Sequence, residues 1–224
     1  MEHPRAGKRS SPPRILSKVE ETRLKQCFLT ELPKVKGLRR FKYLRDIVLI
    51  ELALDAGFRV GECQKFRIKD VWENMAVRNE IHLEANFNKG NVERRVAIAA
   101  DLKKALELYL PLRMNPWPTN GEDAILLISK PGQRARKDHM SRTDVVWALA
   151  FWTGKAGLGH MHFHWLRHTF ASRFYWGGGK DLVETQTMIG HRNLNTTRIY
   201  LHPEQDSMDK HLLESRPGQL SEIT

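Results

Sequence analysis

Between His164 and Tyr200 the chain gathers a cation, two imidazoles and a phenol: Arg167 three residues after His164, then the Gly190-His191 pair, then Tyr200. Residues three apart on a helix stand one above the other, so His164 and Arg167 share a face if this segment is helical. Guanidinium, imidazole and phenol collected in under forty residues suit chemistry on an anion.

Other chemistries fit less well. In the run His160 to His168, His160, His162 and His164 share one face if the backbone is extended, and His164 and His168 do if it is helical. No acidic or cysteine partner stands at ligand spacing, so no metal site is expected. A Gly-x-Ser-x-Gly elbow is missing. Gly177-Gly178-Gly179-Lys180 lacks the leading spacing and the following Ser or Thr of a phosphate-binding loop, and is read as a helix stop. Cys27 and Cys63 form neither a disulfide framework nor a zinc spacing, and are read as reduced, buried side chains.

The elements that must position these groups follow from caps and periodicity. Ser17 with Glu20 predicts a helix from Lys18 to about Leu29, turned inward through Val19, Leu24, Cys27 and Phe28. Lys34 to Arg40 reads as a basic connection, and a second helix is expected over Phe41 to Ala56, stopped by Gly57. The tight turn Phe58-Arg59-Val60-Gly61-Glu62 leads into a short helix around Glu62 to Phe66. Ile81–Phe87 and Val92–Ile98 alternate as two strands around Asn88-Lys89-Gly90-Asn91, a hairpin with Lys89 at its tip. A helix from Ala100 or Asp101 carries the Leu102, Leu106, Leu110 stripe to Pro111. Ile125 to Ile128 is a short buried segment, and Ser141 with Asp144 caps a helix to about Thr153. The expected fold is mainly α with a small antiparallel β-sheet (α+β).

A chain of 224 residues holds one substantial domain, and its 41% hydrophobic share is enough for a core. Its formal charge is +11, with eleven Lys and Arg against four acids in residues 1–40. That balance points to a polyanionic partner, nucleic acid before membrane. Residues 1–14 read as a basic disordered arm. With no signal-peptide core, and no apolar run long enough to span a bilayer, a soluble cytoplasmic protein is expected.

His164-x-x-Arg167-His168, Gly190-His191 and Tyr200 together resemble the C-terminal signature of the tyrosine recombinase (phage integrase) family. Gly57-Phe58-Arg59-Val60-Gly61-Glu62 resembles that family's first-arginine motif, and Asn88-Lys89-Gly90 its lysine-bearing β-turn. The resemblance covers residues 15–202, the expected catalytic domain, with 203–224 as a tail in which Met208, Leu212 and Leu213 suggest a short amphipathic helix.

The resemblance implies site-specific DNA strand exchange on double-stranded DNA, by a homo-tetramer on two duplexes with accessory DNA-bending proteins and no cofactor. It implies Tyr200 as the nucleophile of a 3′-phosphotyrosyl link. Arg59 and Arg167 would clamp the phosphate oxygens, where negative charge builds during attack. His164 would be the base, Lys89 the acid for the departing 5′-oxygen, and His191 a hydrogen-bond donor to the phosphate. His168 and Glu62 are read as structural. Two departures from the family pattern stand out: a glycine run one residue longer than usual, and an N-terminal segment too short for a separate core-binding domain. The expected form is therefore minimal, with a catalytically weak DNA-binding remnant or modulator as the alternative.

Overall fold

The computed structural model describes residues 14–85, 93–115, 121–129, 139–177 and 181–190. Lys89, His191, Tyr200, the hairpin tip, the basic arm up to residue 13 and the tail from 203 lie outside the described residues.

Helix α1 (Lys18–Glu31) starts where both halves of a capping box close. Glu20 N donates to Ser17 Oγ at 3.3 Å, and Ser17 N donates to Glu20 Oε2 at 2.9 Å. Leu24 and Phe28, one turn apart, face inward; Val19 is five residues before Leu24, falls off that stripe and is 62% exposed, against expectation. Cys27 is only half-buried, whereas Cys63 is fully buried.

Helix α2 (Gly37–Leu54) is the spine of the domain: every residue from Leu44 to Leu54 is buried, against α4, α5 and α6. It begins four residues earlier than its apolar pattern suggests, so the basic connection shrinks to a 3-10 turn over Leu32–Lys34 and two further residues. Gly57 follows at φ +66°, where its N–H donates to the Ala53 carbonyl at 3.2 Å. A Cβ at Gly57 would come within 2.3 Å of Phe170 Cδ1, so the turn also brings α2 hard against α6. Helix α3 (Val60–Cys63) comes directly after, two residues ahead of its expected position.

Among the described residues the sheets are two separate antiparallel pairs. Strands β1 (Trp72–Glu73) and β2 (Ala76–Val77) form a small hairpin whose turn holds Asn74 and Met75 at positive φ. Strands β3 (Glu80–Leu83) and β4 (Arg94–Ala97) pair Ile81 with Val96 and Leu83 with Arg94. Helix α4 (Ala100–Met114) buries Leu102, Leu106 and Leu110 as expected, yet runs on past Pro111. Pro111 is exposed, and Arg113 holds the last turn by donating from Nη2 to the Ile125 carbonyl at 2.6 Å. Tyr109 and Arg45 donate to other carbonyls of the 125–129 segment, in which Leu126, Leu127 and Ile128 are buried. Helix α5 (Arg142–Lys155) starts on the Ser141–Asp144 capping box and seats Trp152 edge-on to Phe28. Helices α6 (Phe163–Gly177) and α7 (Leu182–Ile189) complete the described chain.

A polar junction ties α1, α2, α4 and α6 together. Lys25 Nζ lies 2.6 Å from Asp101, 3.4 Å from Asp55, 3.6 Å from Glu51 and 3.7 Å from Glu21. Arg173 adds α6 through Glu21 at 2.6 Å and Asp55 at 3.0 Å.

Candidate active site

Three of the six expected site residues are described: Arg59, His164 and Arg167. Arg59 is the N-terminal cap of α3, with extended backbone (φ −75°, ψ 150°). Its N–H donates to Glu62 Oε2 at 2.8 Å, and its Nη1 donates to Oε1 at 3.1 Å. Its Nη2 reaches across to donate to the Gly190 carbonyl at 2.8 Å, a contact spanning 131 positions of sequence.

Arg167 rises from the first turns of α6 into the same place. Nη1 donates to the Gly57 carbonyl and Nη2 to the Ile189 carbonyl, while Nη1 stands 4.0 Å from Glu62 Oε2. Its side chain is 0% exposed, against 33% for Arg59, which is the more accessible cation. Arg167 thus joins the ends of α2 and α7, the turns whose carbonyls it satisfies.

His164 sits one turn before Arg167 at the exposed lip. Loss of solvation, then Arg167, then Arg59, hold its pKa below the usual imidazole value, so at neutral pH the ring is uncharged and able to accept a proton. Its ring meets that of His168 at 4.5 Å, edge to face. His168 is buried, and its pKa is driven down to about 4 by burial, then by His164 and Arg167. His168 is therefore a neutral packing partner of His164.

Two side chains give this cluster its form. Glu62 is buried under three guanidiniums: burial alone would raise its pKa, but Arg94, the Arg59 N–H and Arg167 bring it below the ordinary carboxylate value. Glu62 was expected as structural; its role is that of a hub. Arg94 was not anticipated. It forks onto Glu62 with Nη2 at 2.9 Å from Oε2 and Nη1 at 3.4 Å from Oε1, and its guanidinium covers the Phe58 ring at 5.4 Å. The signal was present, because Arg94 shares the inward phase of β4 with Val96, a phase the alternation reserves for apolar side chains.

Gly190 closes the arrangement. Asp181 caps α7 by accepting from the N–H groups of Val183 and Glu184, and Gly190 ends it in the left-handed region (φ 65°, ψ 47°). A Cβ there would fall 2.3 Å from Arg94 Nη1. The sequence therefore brings Arg59, Arg167 and His164 to one corner, from the α2–α3 turn and α6, and the end of α7 is fastened to it.

Among the described residues, no three His, Cys, Asp or Glu side chains gather as metal ligands, and no helix is long and apolar enough to cross a membrane.

Comparison with known proteins gives consistent matches. The family model described as the phage integrase family matches residues 31–207. The chain is 32% identical over 168 residues to the tyrosine recombinase XerC of Herpetosiphon aurantiacus, covering 75% of this chain and 51% of that protein. It is 35% identical over 160 residues to that of Actinobacillus pleuropneumoniae, covering 71% and 47%. The chain spans about half the length of these relatives. Among solved structures, XerA recombinase superimposes with a TM-score of 0.70 at 25% identity, covering 96% of this chain and 68% of that one. XerH site-specific recombinase, in a post-cleavage complex with palindromic difH substrate, gives 0.66 at 25% identity, covering 91% and 53%.

Proposed function

The chain belongs to the phage integrase family, and from that premise we propose that it cuts and rejoins DNA at a specific site through a covalent 3′-phosphotyrosyl intermediate. The Tyr200 oxygen attacks the scissile phosphorus, and the bond to the 5′-oxygen breaks. The phenolic proton passes to His164, and Lys89 protonates the departing 5′-oxygen. Arg59 and Arg167 stabilise the negative charge that builds on the non-bridging oxygens, and His191 donates a hydrogen bond to them. The phosphotyrosyl bond keeps the energy of the original linkage, so the reverse attack rejoins the strand without a cofactor. Residues 15–202 form the catalytic unit, acting in the cytoplasm as a homo-tetramer on two duplexes, with accessory DNA-bending proteins.

The observation that carries this reading is the convergence of Arg59 and Arg167 on one carboxylate, with a neutral imidazole one helical turn away. The positive balance of the chain supports DNA as the anion.

The full burial of Arg167 favours a second reading, a DNA-binding module that modulates another recombinase. One assay separates the two. A library of nicked duplexes with a randomised core is incubated with the protein, and covalent adducts are recovered under denaturing conditions. The enzyme reading expects adducts with the wild type and none with Tyr200→Phe. Duplexes that bind and never yield an adduct would establish the modulator reading instead.

A further inference from the structure

Glu62 carries one negative charge and faces three guanidiniums, yet the three contacts are unequal. Arg94 covers both carboxylate oxygens with a two-pronged fork, at 2.9 and 3.4 Å. Arg59 reaches one oxygen through its side chain, at 3.1 Å, and divides its guanidinium between Glu62 and the Gly190 carbonyl. Arg167 stands at 4.0 Å and is directed to two other carbonyls. Both Arg94 and Glu62 are buried, where a charge interacts far more strongly than in water. Arg94 is also locked in place, with Phe58 under its guanidinium and Gly190 against Nη1.

Glu62 is needed where it is. It closes the start of α3 by accepting the Arg59 N–H, and so fixes the backbone from which Arg59 extends. Its charge nonetheless opposes what the cluster offers an anion. With Arg94 absent, the carboxylate would draw on Arg59 and Arg167 as its nearest remaining counter-charges.

We infer that Arg94 is a positioning residue for strand cleavage: by neutralising Glu62 it keeps the charge of Arg59 and Arg167 available to the scissile phosphate. This rests on the proposed recombinase activity. Arg94 itself does not contact the phosphate; it acts through Glu62.

The test uses the full chain and a captured duplex made in two forms, one with the ordinary scissile phosphodiester and one with a methylphosphonate. The latter replaces a charged non-bridging oxygen with a neutral methyl group and so lowers by one the negative charge the arginines must stabilise. Single-turnover cleavage by Arg94→Met is expected to fall about 100-fold on the phosphodiester, and less than about 5-fold on the methylphosphonate. Adding Glu62→Gln to Arg94→Met removes the unopposed charge and recovers about tenfold on the phosphodiester. A merely structural Arg94 would give equal losses on both substrates and additive losses in the double variant; either result, or no loss at all, overturns the inference. If Arg94→Met has no melting transition, Arg94→Lys replaces it, keeping the charge without the fork. Its loss is smaller and must show the same dependence on substrate, and equal losses again overturn the inference. Failure of the wild type to capture any duplex overturns the recombinase reading and this role with it. Wild-type cleavage with equal Arg94 losses overturns this role alone.

Discussion

Two ion clusters of the domain are near mirror images in charge. Around Glu62 one carboxylate is met by Arg59, Arg94 and Arg167; around Lys25 one ammonium is met by Glu21, Glu51, Asp55 and Asp101. Each has a surplus of one sign, and they dispose of it differently. The Lys25 junction can relieve its surplus internally: burial, then Asp55, raise the Glu51 pKa to about 8, so this carboxyl holds its proton at neutral pH. Lys25 is held charged, because the carboxylates around it outweigh the effect of burial. A guanidinium has no such recourse, since it does not lose its proton in proteins. Among the described residues, the cluster around Glu62 therefore keeps its positive surplus. One cluster can shed its excess charge by holding a proton; the other retains it.

The largest effect should come from the buried guanidinium beside Glu62. Arg167→Ala is expected to lower single-turnover cleavage by about 10²–10³-fold, with DNA affinity within a few-fold because other phosphate contacts are many. A collapse of binding in a gel-shift titration would make Arg167 a docking residue. The mirror experiment is Lys25→Met. It should cost about 2 kcal/mol in chemical denaturation, less than a fully buried pair because Lys25 retains some solvent contact. Cleavage per folded molecule should not change. A cleavage defect without a stability defect would erase the distinction between the clusters.

The smallest effect is a pH slope. The folded pKa of Glu51, about 8, lies above the ordinary 4.5, so the folded chain holds a proton that the unfolded chain releases. Its contribution favours the fold at low pH and is lost as pH rises from about 4.5 to 8. Lys25 adds no slope there, because its raised pKa matters only above the ordinary ammonium value. Glu51→Gln should therefore flatten the fall in Tm between pH 5 and 8; an unchanged slope would assign it to other groups.

Local rules carried the fold far. The Ser17 and Ser141 capping boxes, the Gly57 stop and the leucine stripe of α4 each act within one turn of helix, and each is where the residues indicate. The misses are where a distant contact overrides a local preference. Pro111 should end α4, but Arg113 is anchored to the 125–126 carbonyls and carries the helix on. The β1–β2 turn uses Asn74 and Met75 in the left-handed region, and methionine gives no sign of such a turn. That Arg59, His164 and Arg167 meet in one corner was suggested by the family resemblance of their motifs rather than by any local rule. The use of Glu62 as their common partner was not, since nothing within four residues of Arg94 reveals that its fork meets a carboxylate 32 positions earlier. Lys89, His191 and Tyr200 keep their sequence-based assignment alone.

Gly190 sets an unusual limit on how this chain can vary. Many left-handed glycines have a neutral substitute, because Asn or Asp adopts the same backbone at modest cost. Here the space beside the α-carbon already belongs to the guanidinium of Arg94, so a residue that satisfies the backbone still collides with the side chain. Relief would require Arg94 to withdraw, which would release Glu62 onto the remaining arginines. A side chain at this position therefore disturbs two things at once, the left-handed turn that ends α7 and the fork that holds Glu62.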